Sequence, residues 1–255
     1  MLFRYKGLDI YYEKSGEGQP LLLLHGWGCS IRTMDLFISH YRASRTVWAL
    51  DFPGFGGSSY PDGVWEVSDY SLMTEEFIRT LIGEPVDVIC HSFGGRVMIK
   101  LAAGHPELVK RIVFIDAAGV RKKRTLGYFI KVYSYKLSKA ALKNRALGKM
   151  LDFLGIDYRK RISSAGSEDY RALPDNMKGT FIKVVNEDLT PWLRDIKAPS
   201  LLIYGENDSD TPVSMAKIME KKIPDAGLVI IENAGHFSFA DAPGRVLGIT
   251  DVFLK

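Results

Sequence analysis

Short apolar runs alternate along this chain with longer amphipathic segments. Most runs are apolar at every position, which is typical of strands that are covered on both faces of a parallel sheet. Eight runs have the length of strands: Leu2–Tyr5, Leu8–Glu13, Leu21–Leu24, Val47–Leu50, Val86–Cys90, Arg111–Ile115, Ser200–Tyr204 and Leu228–Ile231. Only the first two are close enough for a tight hairpin, and we expect them to pair antiparallel at one edge.

The segments between these runs carry the boundary signals of helices. Ser68 is a favourable N-cap and Gly83 a favourable stop, which predicts a helix over Ser68–Ile82. Similar signals predict three more helices: Phe93–Ala103, Val213–Lys222 and Arg245–Leu254. Strands that alternate with helices in this way predict an α/β fold with right-handed crossovers.

One segment interrupts the alternation between the sixth and seventh runs. It contains no strong strand signal, and a second helical stretch is expected near Asn176–Asn186. Its apolar residues instead recur at helical spacing: Leu126, Phe129, Ile130, Tyr133 and Leu137. We therefore assign residues 1–119 and 196–255 to the α/β core and residues 120–195 to a small helical insertion.

Composition places the 255-residue chain among ordinary soluble proteins, with 46% hydrophobic and 25% charged residues. The first ten residues lack the pattern of a signal peptide, and no apolar run approaches the roughly 20 residues that span a bilayer. A cytoplasmic location is expected, with no membrane or nucleic-acid partner. The two cysteines, Cys29 and Cys90, are too few for a disulfide framework and lack zinc spacing. Nothing in the sequence indicates the oligomeric state.

The strongest chemical motif directly follows the fifth apolar run and directly precedes a helix. It reads Cys90-His91-Ser92-Phe93-Gly94-Gly95. A sharp turn between a strand and a helix exposes a serine hydroxyl at the carboxyl edge of the sheet, and the crowded turn needs small residues two positions before and after the serine. Gly94 meets that need fully and Cys90 approximately. The alternative is a tight turn without chemical function.

A nucleophilic serine needs a base and an acid that orients the base. Of the five histidines, His236 follows the last apolar run and a glycine, so its loop can return over the sheet edge. His91 is adjacent to Ser92, and we expect its ring to turn away from the site. For the acid, Asp208 follows the seventh run, with Asp210 in reserve. The rival interpretation is a helix-capping aspartate, which suits Asp210 better.

A second loop can complete an oxyanion site, that is, a pair of N–H donors for a developing negative charge. The run Leu21–Leu24 opens into His25-Gly26-Trp27-Gly28. We expect the backbone N–H of Trp27 to be one donor and that of Phe93 the other. The indole of Trp27 either lines an acyl pocket or simply packs. For the insertion, Phe129 and Tyr133 either roof that pocket or pack the insertion onto the core.

These pieces together resemble the α/β-hydrolase superfamily, in particular its esterase and carbon–carbon bond hydrolase branch. The matching segments span most of the chain outside the insertion: His25–Gly28, Asp51–Ser58, Cys90–Gly95, Gly205–Asp208 and Gly235-His236. The order Ser, Asp, His along the chain is the order of that fold. The resemblance implies an eight-stranded, mostly parallel sheet with a cap inserted after the sixth strand. Cys90 departs from the pattern, which usually has glycine there.

The expected activity is hydrolysis of a small carboxylic ester or related acyl substrate through Ser92, His236 and Asp208, with no metal and no cofactor. Two alternatives stay open, namely hydrolysis of a carbon–carbon bond in a diketone by the same residues, and a non-catalytic ligand receptor. Residues 121–195 hold 17 Lys/Arg and 8 Asp/Glu, a net +9 against +4 for the whole chain. This charge either attracts anionic substrates or belongs to ordinary solvated helices.

Overall fold

The computed structural model describes residues 1–121, 126–163 and 168–255. It contains an eight-stranded sheet. In chain order the strands are β1 Leu2–Tyr5, β2 Leu8–Ser15, β3 Pro20–Leu24, β4 Thr46–Leu50, β5 Val86–His91, β6 Val109–Ile115, β7 Ser200–Gly205 and β8 Ala226–Ile231. All eight expected strands are present, and their ends differ from the expected ones by two residues at most.

The sheet is mostly parallel, with the spatial order β1-β2-β4-β3-β5-β6-β7-β8. Strand β2 is antiparallel to both of its neighbours, and β3 to β8 run parallel to one another. The parallel strands are in register near their carboxyl ends, where Leu24 lies beside Cys90, and Cys90 beside Phe114. The loops that follow β3, β5, β6 and β7 therefore begin at one common edge.

Helices cover both faces of this sheet. The core helices are α1 Asp35–Tyr41, α2 Val67–Phe77 and α3 Phe93–Gly104 before the insertion. Helices α4 Leu126–Lys143, α5 Arg145–Phe153, α6 Tyr158–Ser163, α7 Glu168–Ala172 and α8 Asp175–Asn186 follow, and then α9 Val213–Lys222, α10 Ser238–Asp241 and α11 Pro243–Leu254. Helices α1 and α11 share a buried cluster with β3 to β7, whereas α2 and α9 reach the opposite face. Within the described residues, no helix is both long and apolar enough to cross a bilayer.

The start of α2 differs from the expectation. Its N-cap is Glu66, whose carboxylate and that of Asp69 form a reciprocal capping box, so the assignment of Ser68 as the cap is wrong. Ser68 lies inside the helix, where its hydroxyl accepts a hydrogen bond from Lys100 at 2.5 Å. A π turn extends the helix to Ile82, and Gly83 then ends it with a φ of 76°.

The chain divides into two compact units with boundaries that differ from those expected. Unit 1 comprises residues 1–121 and 175–255, and unit 2 comprises residues 122–174. Residues 175–195, which we assigned to the insertion, belong to unit 1 because they bond to its core. The N–H of Trp65 donates to the Thr180 hydroxyl at 3.0 Å, and the N–H of Leu189 donates to the Gly119 carbonyl at 2.9 Å.

Unit 2 is helical, as its periodicity predicts. Among its described residues, Ala141, Leu151 and Tyr158 form a buried apolar cluster, with Leu147 and Ile156 partly buried against it. By contrast, Tyr133 is 65% exposed and Leu137 is 47% exposed. Most of the basic run at residues 121–124 lies outside the described residues, because the description stops at residue 121 and resumes at residue 126.

Candidate active site

Ser92 lies in the sharp turn between β5, which ends at His91, and α3, which begins at Phe93. Its backbone has a φ of 47° and a ψ of −105°, a conformation that residues with a side chain rarely adopt. Such strain persists only where the surroundings enforce it, and it occurs preferentially at functional sites. The turn therefore holds the serine hydroxyl in one fixed direction at the carboxyl edge.

The residues two positions before and after Ser92, Cys90 and Gly94, lie in different surroundings. At Gly94 a Cβ atom would lie 2.6 Å from the carbonyl oxygen of Leu24, so only glycine fits. Cys90 instead points into the sheet core, where its Sγ lies 3.6 Å from the carbonyl oxygen of Val113. The cysteine is fully buried and leaves the turn intact. The departure from the usual glycine therefore does not prevent the strand-to-helix turn.

The structure brings Ser92, His236 and Asp208 together from the ends of three different strands. The Nε2 atom of His236 lies 3.0 Å from Oγ of Ser92, and its Nδ1 lies 2.8 Å from Oδ2 of Asp208. Because a carboxylate only accepts hydrogen bonds, the Nδ1 atom carries the ring proton. The Nε2 lone pair then faces the serine hydroxyl, which is the arrangement that a general base requires.

Asp208, and not Asp210, forms the hydrogen bond with the His236 ring. The N–H groups of Asp210 and Thr211 donate to Oδ1 of Asp208 at 2.7 and 2.9 Å. The Thr211 hydroxyl lies 2.5 Å from Oδ2. Asp208 is buried, whereas Asp210 is exposed. The loop after β7 thus fixes the orientation of one carboxylate through its own backbone.

The charges of this pair reinforce each other. Burial would raise the pKa of Asp208, but hydrogen bonds from His236 and Thr211 outweigh it and lower the pKa to about 2. Burial has the opposite effect on His236 and lowers its pKa. The hydrogen bond and charge of Asp208, with the charges of Asp116 and Asp210, outweigh that effect and raise it above its ordinary value. The imidazolium form of His236 is therefore stabilised, as a proton acceptor next to a nucleophile needs.

The acid loop and the histidine loop approach each other closely. A Cβ atom on Gly205 would lie 2.6 Å from the carbonyl oxygen of Ala234, so the end of β7 needs glycine there. The N–H of Asn207 donates to the same carbonyl at 2.8 Å. This contact joins the two loops directly at the level of the backbone.

His91 also supports the histidine loop. Its adjacency to Ser92 predicts a ring that turns away from the site, whereas the structure places the ring beneath that loop. The Nε2–H of His91 donates to the carbonyl oxygen of His236 at 2.9 Å, and the two ring centroids are 5.0 Å apart. Burial lowers the pKa of His91 to about 3, so the ring is neutral. Its role in the site could not be seen from sequence adjacency.

Of the two expected oxyanion donors, Trp27 lies in the loop after β3, and Phe93 lies next to Ser92 at the start of α3. Among the described residues, neither the backbone N–H of Trp27 nor that of Phe93 has a hydrogen-bond acceptor. Phe93 is the first residue of α3, where N–H groups are free to bind a ligand. A Cβ atom added to Gly26, just before Trp27, would lie 3.4 Å from Cβ of Ser92. Both segments therefore lie close to the serine.

The indole of Trp27 is one side of an aromatic cluster in unit 1. Its ring centroid lies 4.8 Å from that of Phe55, 5.2 Å from that of Phe93 and 5.3 Å from that of Phe181. Its Nε1 atom is buried without an acceptor among the described residues. The indole is thus packed edge to face, and it keeps one unused donor. Of the other two expected pocket residues, Tyr133 is largely exposed in unit 2, and the side chain of Phe129 lies outside the described part.

Arg96 fixes the helix that carries Phe181. The guanidinium donates to the carbonyl oxygens of Glu187 and Val185, at 3.0 and 3.4 Å, at the end of α8. Burial lowers the pKa of Arg96 to about 10, which leaves it charged at neutral pH. A cation at the C-terminal end of a helix stabilises that helix. Sequence analysis missed Arg96, although it lies one turn after Ser92.

A metal ion would have one place to bind among the described residues. The ligand atoms of Asp208, Asp210 and His236 lie within 4.8 Å of one another. Two of these residues already bind each other through the Nδ1 atom of the ring. An ion there would displace the ring proton that Asp208 holds. The expectation that the site needs no metal stays a prediction.

The chain belongs to the alpha/beta hydrolase family, whose model matches residues 21–249. It is similar to the pimeloyl-acyl-carrier-protein methyl ester esterase of Legionella pneumophila, with 25% identity over 97% of this chain and 100% of that enzyme. A solved meta-cleavage product hydrolase from Pseudomonas fluorescens superposes with a TM-score of 0.72 and 21% identity, covering 97% of this chain and 94% of that one. The enol-lactonase from Burkholderia xenovorans gives a TM-score of 0.74 at 18% identity, with 100% of both chains covered. These two superpositions establish the shared fold.

Proposed function

We propose that this hydrolase cleaves a small carboxylic ester or a related acyl substrate through an acyl-enzyme on Ser92. The observation that carries the proposal is the pair of hydrogen bonds that His236 makes, 3.0 Å to Ser92 and 2.8 Å to Asp208. The three residues come from distant parts of the chain, and the imidazole lies between the hydroxyl and the carboxylate, as serine acyl transfer requires. The similarity to an enzyme named as a methyl ester esterase supports the ester class.

The first half of the reaction forms the acyl-enzyme. Oγ of Ser92 attacks the substrate carbonyl carbon while Nε2 of His236 takes the hydroxyl proton. The negative charge that develops on the carbonyl oxygen is stabilised by the N–H groups of Trp27 and Phe93. The carbon–oxygen bond to the leaving alcohol then breaks, and His236 gives its proton to that alcohol.

The second half regenerates the enzyme. Water takes the place of the alcohol, gives a proton to Nε2 of His236 and attacks the acyl carbon. When the ester bond to Ser92 breaks, His236 returns the proton to the serine oxygen. Asp208 keeps the ring in the right tautomer and stabilises its charged form in both halves. No step requires a metal or an organic cofactor.

A substrate panel tests the proposal. We expect turnover of short p-nitrophenyl esters and acyl thioesters, and loss of that turnover in Ser92→Ala. Ser200→Ala is the control, because it removes a serine hydroxyl that lies at the start of β7 and donates to the carbonyl oxygen of Ala198. The proposal would be contradicted if Ser92→Ala still cleaved these esters at the rate of the unmodified protein.

The panel also separates the alternatives. A vinylogous diketone that is cleaved in preference to every ester would assign the same residues to carbon–carbon bond hydrolysis. A protein that binds these compounds without converting any of them would be a ligand receptor. Comparing an anionic ester with a neutral one at low salt tests the basic charge of the insertion, since only electrostatic attraction predicts a preference that salt removes.

A further inference from the structure

Asp116 is a buried carboxylate that the proposed mechanism does not use. It follows directly after β6, between the strands that carry Ser92 and Asp208. The residue is fully buried, and its backbone has a φ of 45°. That conformation is uncommon for a residue with a side chain, although aspartate tolerates it better than most.

The carboxylate of Asp116 accepts hydrogen bonds from both of the segments that carry Asp208 and His236. Its Oδ1 accepts the N–H of Gly205, three residues before Asp208, at 2.8 Å. Its Oδ2 accepts the N–H of Ser238, two residues after His236, at 3.0 Å. One side chain therefore bridges the acid loop and the histidine loop.

The backbone around Asp116 extends this connection to the nucleophile. Its own carbonyl oxygen lies 2.9 Å from the Thr211 hydroxyl, which also contacts Asp208. The N–H of Ala118 donates to the carbonyl oxygen of Ser92 at 3.0 Å. The short segment after β6 is thus bonded to all three loops from which the proposed catalytic groups come.

Burial raises the pKa of Asp116 to about 6, against the opposing effect of its hydrogen bonds from Gly205 and Ser238. The other ionisable groups that face it are Asp208, Tyr204 and His236. At pH 8 the group is therefore a buried anion beside a second anion, which costs stability. An amide of the same size would avoid this cost, but it would direct an NH₂ group at one of the two N–H donors.

We propose that Asp116 is a positioning residue that holds the acid loop and the histidine loop at the separation that the Ser92–His236–Asp208 arrangement needs. The inference rests on the proposed function of those three residues. Asp116 touches no reacting atom. It acts through two backbone hydrogen bonds and through its negative charge near the His236 ring.

The test compares Asp116→Asn with Asp51→Asn. Asp51 is a matched control, because it is buried after β4 at the same edge and also accepts two backbone N–H groups, from Ile31 and Gly57, each at 2.7 Å. Asp51 makes no contact with the acid or histidine loops among the described residues. A merely structural role predicts the same kinetic changes in both variants.

At pH 8 we expect Asp116→Asn to lower kcat by about 10- to 100-fold with KM changed by roughly two-fold at most, because loop geometry affects the chemical step. We also expect the acidic midpoint of kcat/KM to fall, because a charge that raises the pKa of His236 is gone. Asp51→Asn should leave that midpoint unchanged. The proposal would be overturned if Asp116→Asn had an unchanged kcat. It would also be overturned if the acidic midpoint of kcat/KM were the same in Asp116→Asn as in Asp51→Asn.

A measurement on the unmodified protein covers the case in which Asp116→Asn does not fold. The amide signals of Gly205 and Ser238 in NMR spectra should shift together as pH is lowered, with a midpoint near that of Asp116. Amides that respond independently would overturn the bridge. Loss of turnover in Ser92→Ala, with Asp116→Asn fully active, would refute this inference and leave the proposed function standing.

Discussion

The polar residues at the amino ends of the strands (the amino edge of the sheet) and at their carboxyl ends (the carboxyl edge) differ in how fully they are hydrogen-bonded. At the amino edge, Asp87 at the start of β5 accepts hydrogen bonds from Arg45 at 2.6 Å and from Arg111 at 2.8 and 2.9 Å. The same two arginines donate to carbonyl oxygens of the last three residues of the chain. This edge ties the end of α11 to the sheet, and its charged groups are directed at one another.

At the carboxyl edge, by contrast, some of the polar groups are partly exposed or lack a hydrogen-bond acceptor. Ser92 is half-buried, and the His236 side chain is 19% exposed. The N–H groups of Trp27 and Phe93 have no acceptor among the described residues. The polar groups at the two ends of the strands therefore have different roles. Groups that satisfy one another stabilise the fold, and groups with capacity left over can bind and convert a ligand.

The largest effect that this comparison predicts comes from the serine. We expect Ser92→Ala to lower kcat by about 10⁶-fold, because the nucleophile is lost while binding remains. Its thermal midpoint should stay close to that of the unmodified protein, since the hydroxyl stabilises no other part of the fold. A large fall in Tm would place Ser92 among the structural residues instead.

The next effect distinguishes the two candidate acids. Asp208→Asn should lower kcat by about 10⁴-fold, because an amide cannot hold His236 in the required tautomer. Asp210→Asn should change kcat far less, because its carboxylate is exposed and only its backbone N–H contacts Asp208. Steady-state kinetics of the two variants settles the assignment, and the reverse ranking would contradict it.

At the opposite edge the expected loss is in stability. Asp87→Ala leaves two arginines without their shared partner and should lower the free energy of unfolding by about 3 kcal/mol. For a chain of this size that corresponds to a fall in Tm of roughly 6 to 12 °C. Urea unfolding measures the first value and calorimetry the second. Turnover per folded molecule should be unchanged, and a fall in kcat would show that the two edges are coupled.

The smallest effect is a shift along the pH axis. Because Asp208 raises the pKa of His236, kcat/KM should rise with pH through a midpoint above about 6.5, as His236 loses its proton. In Asp208→Asn the lowering effect of burial remains and the largest raising effect is removed, so the residual activity should have a lower midpoint. A midpoint that stays in place would mean that another group controls the rate.

The sequence predicted the fold and the meeting of the three residues, but not the bonds that hold them. Eight apolar runs and their flanking glycines are local signals, and they placed the strands, the turn at Ser92 and the loop of His236. Asp116, Thr211 and His91 act through contacts between strand ends that are far apart in sequence, which no local pattern records. Asp116 had one usable signal, since it is a polar residue directly after a buried strand.

The insertion was predicted less well for a related reason. Helical spacing indicated helices but did not show which ones belong to the core, and α8 bonds to unit 1. Phe129 and Tyr133 stay predictions as pocket residues. The cytoplasmic location and the absence of membrane and nucleic-acid partners also stay predictions from composition.

The central claim is that the hydroxyl of Ser92 is the activated nucleophile of this site. Reaction with a fluorophosphonate, followed by peptide mass spectrometry, tests it most directly, because the reagent bonds covalently to an activated serine. We predict one adduct, on Ser92, that forms much more slowly in Asp208→Asn. An adduct on a different residue, or an unlabelled protein that still hydrolyses esters, would contradict the account.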